Sequence, residues 1–308
     1  MKSISVSHIK KTYTEGKKII PALNDISFEV AEGELFGLIG PDGAGKTSLF
    51  RILTTLLLAD EGTASVNGFD VVDQYKNIRN CVGYMPGKFS LYPDLTVEEN
   101  LYFFATIFNT SIQENYELIK DIYIQIEPFK NRRAGALSGG MKQKLALCCA
   151  LIHKPAILFL DEPTTGVDAV SRKEFWEILK GLKANGITIL VSTPYMDEAS
   201  LCDRVGLLQD GHLLAVDTPK QISENFGKQV WAIKTNRMQD AIADLRAWSA
   251  IESCYAFGEY HHLVMKSASI STSSIEAFLQ THQHGAIEIL PIDAGIEDCF
   301  MYLMQKKV

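Results

Sequence analysis

The segment Gly40-Pro41-Asp42-Gly43-Ala44-Gly45-Lys46-Thr47 has the spacing G-x-x-x-x-G-K-T, which is typical of a loop that binds phosphate. The apolar run Leu35–Ile39 (LFGLI) precedes it and suits a buried parallel strand, and an apolar pattern with helical spacing follows at Thr47–Leu58. Glycine lets the backbone curl so that successive N–H groups point at phosphate oxygens, and the N-terminus of the following helix favours negative charge. We therefore expect a strand, a phosphate-binding loop and a helix in this order.

Two side chains at the end of this loop carry its chemistry. Lys46 places a positive charge near the β- and γ-phosphates of a nucleotide, and Thr47 offers its hydroxyl group to Mg²⁺. The expected nucleotide contacts of the loop are Gly40, Pro41, Asp42, Gly43, Ala44, Gly45, Lys46, Thr47 and Ser48.

A second apolar run, Ile157–Leu160, ends in two adjacent acidic residues. At the end of a strand, Asp161 would belong to the coordination shell of Mg²⁺, and Glu162 would orient and deprotonate an attacking water. Two carboxylates after a strand also serve solubility, so their order and spacing relative to Lys46 give them their chemical meaning. Asp161 is therefore a predicted metal ligand together with Thr47, and Glu162 is a predicted catalytic residue together with Lys46.

The segment Leu137-Ser138-Gly139-Gly140-Met141 opens an apolar helical pattern that extends to Ile152. Ser138 is a residue type that caps helix N-termini, and the two glycines permit close approach of the backbone. Such a helix start is a second anion-binding site on a chain that already has one. Because one phosphate tail needs only one cradle, we expect Ser138, Gly139 and Gly140 to contact the nucleotide of another subunit.

Together these three segments resemble those of the ATP-binding cassette (ABC) ATPases, in which two cassettes hold two ATP molecules between them, head to tail. The resemblance covers about residues 1–218 and implies ATP and Mg²⁺ as cofactors. It also implies an α/β fold, namely a P-loop NTPase cassette with a RecA-like parallel sheet core, an antiparallel β subdomain, and a helical subdomain at about residues 91–152.

The resemblance assigns roles to three further places. Tyr13 stands where the family has an aromatic residue that stacks on adenine, although a Tyr in an early strand also serves packing. Gly166-Val167-Asp168 resembles the loop that touches the opposite cassette. Phe89–Leu101 resembles the segment that leads into the helical subdomain and receives the membrane subunit.

Two positions depart from the family pattern. Gly87 follows Tyr84-Met85-Pro86, where the family usually has a Gln that reaches Mg²⁺ and the attacking water, and Pro194 replaces the usual His that contacts the γ-phosphate. Loss of one donor to the developing charge slows chemistry by about 10²–10³-fold, so we expect binding to be kept better than turnover. The alternative is that Thr193 or Tyr195 substitutes for the missing His.

These departures predict an asymmetric heterodimer. A homodimer would contain two weakened sites, whereas a complete partner cassette would form one good site with the Ser138–Gly140 helix of this chain. The Leu137–Met141 segment, the Met196–Ala199 segment and the C-terminal unit resemble those of cassettes that serve ABC-2 type exporters, as in multidrug efflux. This resemblance implies integral-membrane permease subunits and a periplasmic adaptor. Two alternatives are a non-hydrolysing structural or regulatory subunit, and an ABC protein acting on DNA or ribosomes, which the lack of heptads and of an internal repeat disfavours.

Composition limits the cellular location. The 308 residues are 46% hydrophobic and 22% charged, and the net charge of −7 gives no basic field for nucleic acid. No apolar run reaches the length of a membrane span, the N-terminus shows no signal-peptide pattern, and the six cysteines form no Cys-x-x-Cys pair. We therefore expect reduced thiols in a cytoplasmic protein without nucleic-acid partners. The resemblance to ABC cassettes implies in addition that the protein is peripheral, on the inner face of the cytoplasmic membrane.

Residues 229–308 are predicted to form a separate accessory α+β domain. Its first six elements have the βαββαβ order of a split βαβ sandwich. A ligand-binding regulatory role and a packing or dimerisation role are both open, and the second is favoured because no pattern in this part resembles a site. His261-His262 and His282-x-His284 lack the companions of a metal site. The predicted strands are 230–234, 251–257, 260–266 and 286–291, and the predicted helices are 238–248, 273–282 and 295–304.

Overall fold

The structure is a computed structural model that describes residues 2–16, 18–88, 90–267 and 271–305. The chain divides into two compact units, Met1–Thr218 and Pro219–Val308. The first residue of the predicted segment Phe89–Leu101 lies outside the described residues.

The first unit contains ten strands and six α-helices among the residues that the structure describes. In chain order they are β1 (Lys2–Glu15), β2 (Lys18–Ala31), β3 (Leu35–Ile39), α1 (Lys46–Leu53), β4 (Glu61–Val66), β5 (Phe69–Asp70), α2 (Tyr75–Cys81), β6 (Val82–Met85), α3 (Val97–Ile107), α4 (Tyr116–Tyr123), α5 (Gly139–Leu151), β7 (Ile157–Asp161), α6 (Ala169–Ala184), β8 (Thr188–Thr193), β9 (Arg204–Gln209) and β10 (His212–Asp217). Short 3₁₀ helices lie at Glu127–Phe129, Ala134–Ala136 and Met196–Leu201.

A six-stranded sheet in the order β10-β9-β3-β8-β7-β6 forms the centre of this unit. All neighbouring strands in it pair in parallel except β9 and β10. Strands β3, β7 and β8 are buried along their whole length, as expected of apolar runs that are covered on both faces. Because parallel strands end at the same edge, the segments after β3, β7 and β8 lie side by side, which is where ligands bind in α/β sheets. The predicted α/β class with a parallel sheet is confirmed.

The second sheet is antiparallel, in the order β2-β1-β4-β5. The sequence pattern alone predicts only short strands here, at Ile4–Val6 and Ile26–Val30. This prediction is wrong in length, because both strands continue for 14 residues each and pair from Lys2 and Ala31 to Glu15 and Lys18. The outer half of this hairpin is largely exposed, so it lacks the buried, alternating pattern that marks a strand in the sequence. Its extension carries Tyr13 toward the phosphate-binding loop.

The helix after the phosphate-binding loop is shorter than predicted. It begins at Lys46 and ends at Leu53, whereas the apolar pattern extends to Leu58. The Thr54 hydroxyl donates to the Phe50 carbonyl, and Thr55 adopts a left-handed backbone with φ of 64°, which ends the helix. Leu56 and Leu58, which continue the apolar pattern in the sequence beyond the end of the helix, are 57% and 63% exposed.

Helices α3, α4 and α5 occupy the region predicted to be helical, between β6 and β7. A capping box starts α3: the Glu99 backbone N–H donates to the Thr96 hydroxyl, and the Thr96 N–H donates to the Glu99 carboxylate. Ser138 caps α5 by accepting from the Met141 N–H, as predicted, although the helix begins at Gly139 rather than at Met141.

The second unit has the element order that the sequence predicts. Among the described residues its four strands, β11 (Val230–Lys234), β12 (Ile251–Phe257), β13 (Tyr260–Met265) and β14 (Glu288–Ile292), form an antiparallel sheet in the order β12-β13-β11-β14. Its apolar core includes Ile233, Leu263 and Leu279. One histidine of each pair named in the sequence contacts an aspartate: His262 Nδ1 lies 2.7 Å from Asp298, and His284 Nε2 lies 2.9 Å from Asp244. Its elements are α7 (Pro219–Glu224), β11 (Val230–Lys234), α8 (Met238–Ala247), β12 (Ile251–Phe257), β13 (Tyr260–Met265), α9 (Thr272–Thr281), β14 (Glu288–Ile292) and α10 (Ile296–Gln305).

None of the helices in the described residues combines the length and apolar character that crossing a lipid bilayer requires.

Asp60 anchors the outer half of the β1–β2 hairpin. Its carboxylate accepts from Lys11 Nζ at 2.5 Å and from both the N–H and the hydroxyl of Thr12 at 2.6 Å. These donors, led by Lys11, lower the pKa of Asp60 to about 2. The contacts fix the two residues that immediately precede Tyr13.

We predict that Asp60→Asn lowers the free energy of unfolding in a pH-dependent way. The folded pKa lies below the unfolded value, so the contribution of the carboxylate is present above pH 4 and is lost as pH falls toward 2. Because the group is partly exposed, we expect a difference of about 1 kcal/mol or less at neutral pH. Urea unfolding of both proteins at several pH values between 7 and 3 measures it, and a difference that stays constant with pH would contradict the role of this charge.

Candidate functional site

A cavity of about 270 Å³ lies at the edge of the parallel sheet, where the phosphate-binding loop meets the hairpin. It brings together Tyr13 from β1, the N-terminus of α1 and Glu162 after β7. The Tyr13 hydroxyl lies 3.1 Å from the Ser48 hydroxyl, so the aromatic ring is held beside the first turn of α1. The lining residues are Tyr13, Ile20, Pro21, Ala22, Gly43, Gly45, Lys46, Thr47, Ser48 and Glu162.

Glycine is required at two positions of the phosphate-binding loop. Gly45 has φ of 107°, and a Cβ atom there would lie 2.3 Å from the Ala22 carbonyl oxygen. A Cβ atom on Gly40 would lie 2.1 Å from the Leu208 carbonyl oxygen. The loop therefore packs its backbone directly against β2 and β9, which fixes its curvature and directs its N–H groups.

Lys46 is only 3% exposed, and its ammonium group is held by oxygen atoms on three sides. It donates to the carbonyl oxygens of Gly40 and Pro41 at 2.8 and 3.0 Å, and it lies 3.0 Å from Glu162 Oε1. A buried cation needs such partners, because desolvation is costly when it is unpaired. The two predicted catalytic residues, Lys46 and Glu162, are thus in direct contact.

The acidic pair Asp161 and Glu162 is organised by Ser192, a residue that the sequence analysis did not single out. Ser192 donates to Asp161 Oδ1 at 2.6 Å, and its hydroxyl oxygen accepts from the Glu162 N–H at 3.0 Å. The backbone of Glu162 has φ of 50°, a left-handed conformation that costs about 1–3 kcal/mol for a residue with a side chain. In the sequence, Ser192 is visible as a polar residue at the carboxyl end of an apolar strand. That pattern does not identify Asp161 as its partner.

The donor set fits Mg²⁺. In nucleotide sites this ion takes one or two protein oxygens and completes its shell with phosphate oxygens and waters. Thr47 on the cavity wall and Asp161 at the end of β7 supply that number and that chemistry. Asp161 is 2% exposed, and together with burial its charge raises the pKa of the nearby Tyr84 to about 12.

Position 87 faces the acidic pair. A Cβ atom on Gly87 would lie 3.1 Å from the Asp161 carbonyl oxygen and 3.8 Å from Glu162 Cβ. A longer side chain at this position would therefore start next to the carboxylates. As built, the glycine contributes no side-chain ligand there.

The segment after β8 is held by a buried acidic residue. Glu198 is 2% exposed, accepts from the hydroxyls of Thr193 and Thr164, and pairs with Arg172 at 3.1 Å. The Thr193 hydroxyl also accepts from the Tyr195 N–H, and the Arg172 guanidinium lies 4.1 Å from the centre of the Tyr195 ring. Both proposed substitutes for the missing His, Thr193 and Tyr195, therefore have other partners in this structure.

The segment Ser138–Gly140 does not line the cavity of the phosphate-binding loop. It lies beside the start of α6, because a Cβ atom on Gly140 would be 2.8 Å from the Ser171 hydroxyl and one on Gly139 would be 3.5 Å from the Gly166 carbonyl. Asp168 caps α6, and the pKa of its carboxylate is lowered chiefly by the Ser171 N–H. The Ser-Gly-Gly segment and the Gly166–Asp168 loop thus form one surface, separate from the cavity.

Comparisons with known proteins identify the family to which the sequence is similar. A family model described as ABC transporter matches residues 23–165. The chain is 43% identical over 208 residues to the probable multidrug ABC transporter ATP-binding protein YbhF of Escherichia coli, covering 67% of this chain and 36% of that relative. It is 40% identical over 225 residues to the Nod factor export ATP-binding protein I of Burkholderia lata (72% and 73%), and 34% identical over 252 residues to the doxorubicin resistance ATP-binding protein DrrA of Mycobacterium tuberculosis (81% and 76%).

Solved structures share the fold. A dimeric ATP-binding cassette in a post-hydrolysis state, bound to ADP and Pi, superposes with a TM-score of 0.63 at 27% identity over 70% of this chain and 98% of that chain. An ATP binding subunit of an ABC transporter superposes with a TM-score of 0.65 at 30% identity over 73% of this chain and 93% of that chain.

Proposed function

The chain belongs to the family of ATP-binding proteins of ABC transporters, and from this premise we propose that it binds ATP with Mg²⁺ and hydrolyses it to drive an exporter. The observation that carries the proposal is the convergence of Lys46, Glu162 and Tyr13 on one cavity, with Lys46 and Glu162 3.0 Å apart. The relative named for Nod factor export supports the direction of transport, and the relatives named as a multidrug transporter protein and a doxorubicin resistance protein are consistent with it. Since the chain covers 36% of the Escherichia coli relative, the activity of that whole protein is not implied.

The contacts of Lys46 suggest how binding would prepare the chemistry. An ammonium group has three protons, and here two go to carbonyl oxygens while the third faces Glu162. Phosphate oxygens would compete with Glu162 for that third proton, which would release the carboxylate to accept a proton from water. The oxygen of that water would bond to the γ-phosphorus, and the bond from phosphorus to the ADP oxygen would break. Bound Mg²⁺ would neutralise charge on the phosphates, held by Thr47 and Asp161.

Loss of two side chains supports an asymmetric heterodimer with a second, non-identical cassette. Gly87 offers no ligand beside the acidic pair, and Pro194 offers neither a side-chain donor nor an N–H. The Ser138 cap and the surface around it are intact, so this chain would complete the site of a partner better than its own. The alternative supported by the same two residues is a subunit that binds nucleotide without hydrolysing it.

The membrane partner would dock in an apolar groove of about 450 Å³ between the sheet core and helices α3 and α5. Its walls include Leu91, Phe104 and Phe108, and Ile107 beside them is 58% exposed. Apolar side chains left open to water at the mouth of a groove favour an apolar helix as the occupant, and we assign it to a permease subunit. We therefore propose that the protein lies on the inner face of the cytoplasmic membrane, in a system that would also contain a periplasmic adaptor.

The central test compares phosphate release by the purified chain alone and with a complete partner cassette. We expect ATP binding but slow turnover alone, and a rise on mixing above the rate of the partner by itself. Lys46→Ala should abolish nucleotide retention, whereas Glu162→Gln should keep binding and stop turnover at this chain's own site. Fast turnover by the isolated chain would overturn the asymmetry, no gain on mixing would favour the non-hydrolysing alternative, and no binding at millimolar ATP would overturn the function.

Gly87→Gln combined with Pro194→His should raise the turnover of the isolated chain by about tenfold or more, because each side chain restores a contact to the reacting groups. The Cβ atom at position 87 needs a shift of a few tenths of an ångström in the Asp161 backbone, so thermal unfolding must accompany the assay. Gly181→Gln is the matched control, since a Cβ atom there meets nothing within 4 Å. Unchanged turnover in a folded double variant would contradict the prediction.

Ile107→Asp should reduce co-purification of the chain with membrane subunits, because a charge at the groove mouth would be buried on docking. Ile124→Asp is the control, since Ile124 is 48% exposed but is not on the groove wall. The measurement is the amount of each variant recovered with solubilised membrane subunits, relative to the wild-type protein. We expect a loss for Ile107→Asp and none for Ile124→Asp. Equal loss for both substitutions would show that the groove is not the docking surface.

A further inference from the structure

Ser192 occupies a position in the sheet that no motif marks. It lies on β8, is fully buried, and is the direct register partner of Asp161 on the neighbouring strand β7. Its hydroxyl donates to Asp161 Oδ1 at 2.6 Å and accepts from the Glu162 N–H at 3.0 Å. One small side chain therefore contacts two successive residues with different proposed roles.

We propose that Ser192 is a positioning residue, which sets the orientation of the metal-binding carboxylate of Asp161 and the backbone from which Glu162 projects. This inference rests on the proposed function, because it concerns the same site. It adds a third residue to the acidic pair, at a place where the sequence has only a strand.

The donated bond acts on the metal ligand. A serine hydroxyl has a single proton, and here that proton goes to Oδ1 of a carboxylate that is 2% exposed. A hydrogen bond from this donor holds the carboxylate in one rotational position, so its other oxygen has a fixed direction. Hydrogen bonds of this kind to metal ligands commonly change metal affinity by about 10–100-fold.

The accepted bond acts on the catalytic residue. The Glu162 N–H donates to both the carbonyl oxygen and the hydroxyl oxygen of Ser192, at 3.1 and 3.0 Å. This shared donor holds a residue whose φ of 50° is unfavourable for a side chain, and it thereby keeps Glu162 turned toward Lys46. The two ends of the hydroxyl thus link the metal ligand to the base.

A buried hydroxyl on the same strand provides the comparison. Thr188 is 1% exposed, accepts from the Gly33 N–H at 3.0 Å and lies 3.2 Å from the Ser3 hydroxyl, at the opposite end of β8. Its contacts hold the sheet together and involve none of the predicted site residues. Removal of Thr188 should therefore affect stability without affecting the site.

The experiment measures the gain in ATP affinity that Mg²⁺ produces, as the ratio of dissociation constants in EDTA and in Mg²⁺, for the full chain. We expect Ser192→Ala to bind ATP in EDTA within about twofold of the wild-type protein but to lose about tenfold of the metal-dependent gain. Ser192→Thr keeps the hydroxyl and should retain the gain. Thr188→Ala should retain it as well, even where its melting temperature falls.

Binding of Mn²⁺ in the presence of ATP, followed by electron paramagnetic resonance, reports the metal directly and independently of turnover. If Ser192→Ala is too unstable to assay, Ser192→Cys keeps a similar volume with a much weaker donor, and it should show the same loss. A folded Ser192→Ala or Ser192→Cys variant with the wild-type metal-dependent gain would overturn this inference alone. A wild-type chain that binds no ATP would overturn the proposed function and this inference with it.

Discussion

The parallel pairing of β3, β7 and β8 is the constraint on which the site depends. The register aligns Ile39 with Thr193 and Asp161 with Ser192, so three strand ends finish at one level of the sheet. The phosphate-binding loop, the acidic pair and the Thr193–Glu198 segment begin there, one after each strand. A shift of one residue in the pairing of β7 with β8 would turn Ser192 away from Asp161, because side chains alternate between the two faces of a sheet.

The same edge creates an electrostatic problem that the fold solves locally. The nearly buried ammonium group of Lys46 lies close in space to the carboxylates of Asp161 and Glu162. Removing any one of these charges from water without a partner would be costly. Carbonyl oxygens and Glu162 surround Lys46, whereas a neutral hydroxyl serves Asp161. Within the part of the chain that the structure describes, Asp161 forms no ion pair that a phosphate would displace, so its position can persist when a nucleotide binds.

The sequence predicted those parts of the molecule whose chemistry is local. The run Leu35–Ile39 and the run ending at Asp161 are strands with the predicted bounds to within one residue, because continuous apolar runs bounded by glycine or acidic residues leave few alternatives. The N-cap at Ser138 followed from its residue type in the same way. The arrangement of Lys46 and Glu162 in one cavity followed from motif order, although their direct contact did not.

What the sequence could not predict depends on pairing or on exposure. Ser192 gains its role only from its register with Asp161, which no single-chain pattern encodes. The outer half of the β1–β2 hairpin is mostly exposed, so its sequence has no hydrophobic periodicity from which the strands could be predicted. The end of α1 was misplaced because Leu56 and Leu58 continue the apolar pattern beyond the left-handed Thr55, where the backbone has already left the helix.

Pro194, one of the two departures from the family pattern, lies in a segment whose other side chains keep their contacts. At position 194 the neighbouring structure is fully supported, since Thr193, Tyr195 and Arg172 are tied to one another and to Glu198. The buried Glu198 carboxylate keeps three partners, Thr164, Thr193 and Arg172, and loss of any one of them would leave a buried polar group unpaired at a cost in free energy. The proline therefore removes one side chain from a segment that still holds its shape. The retained shape supports the proposed asymmetric heterodimer, in which this chain completes the site of its partner.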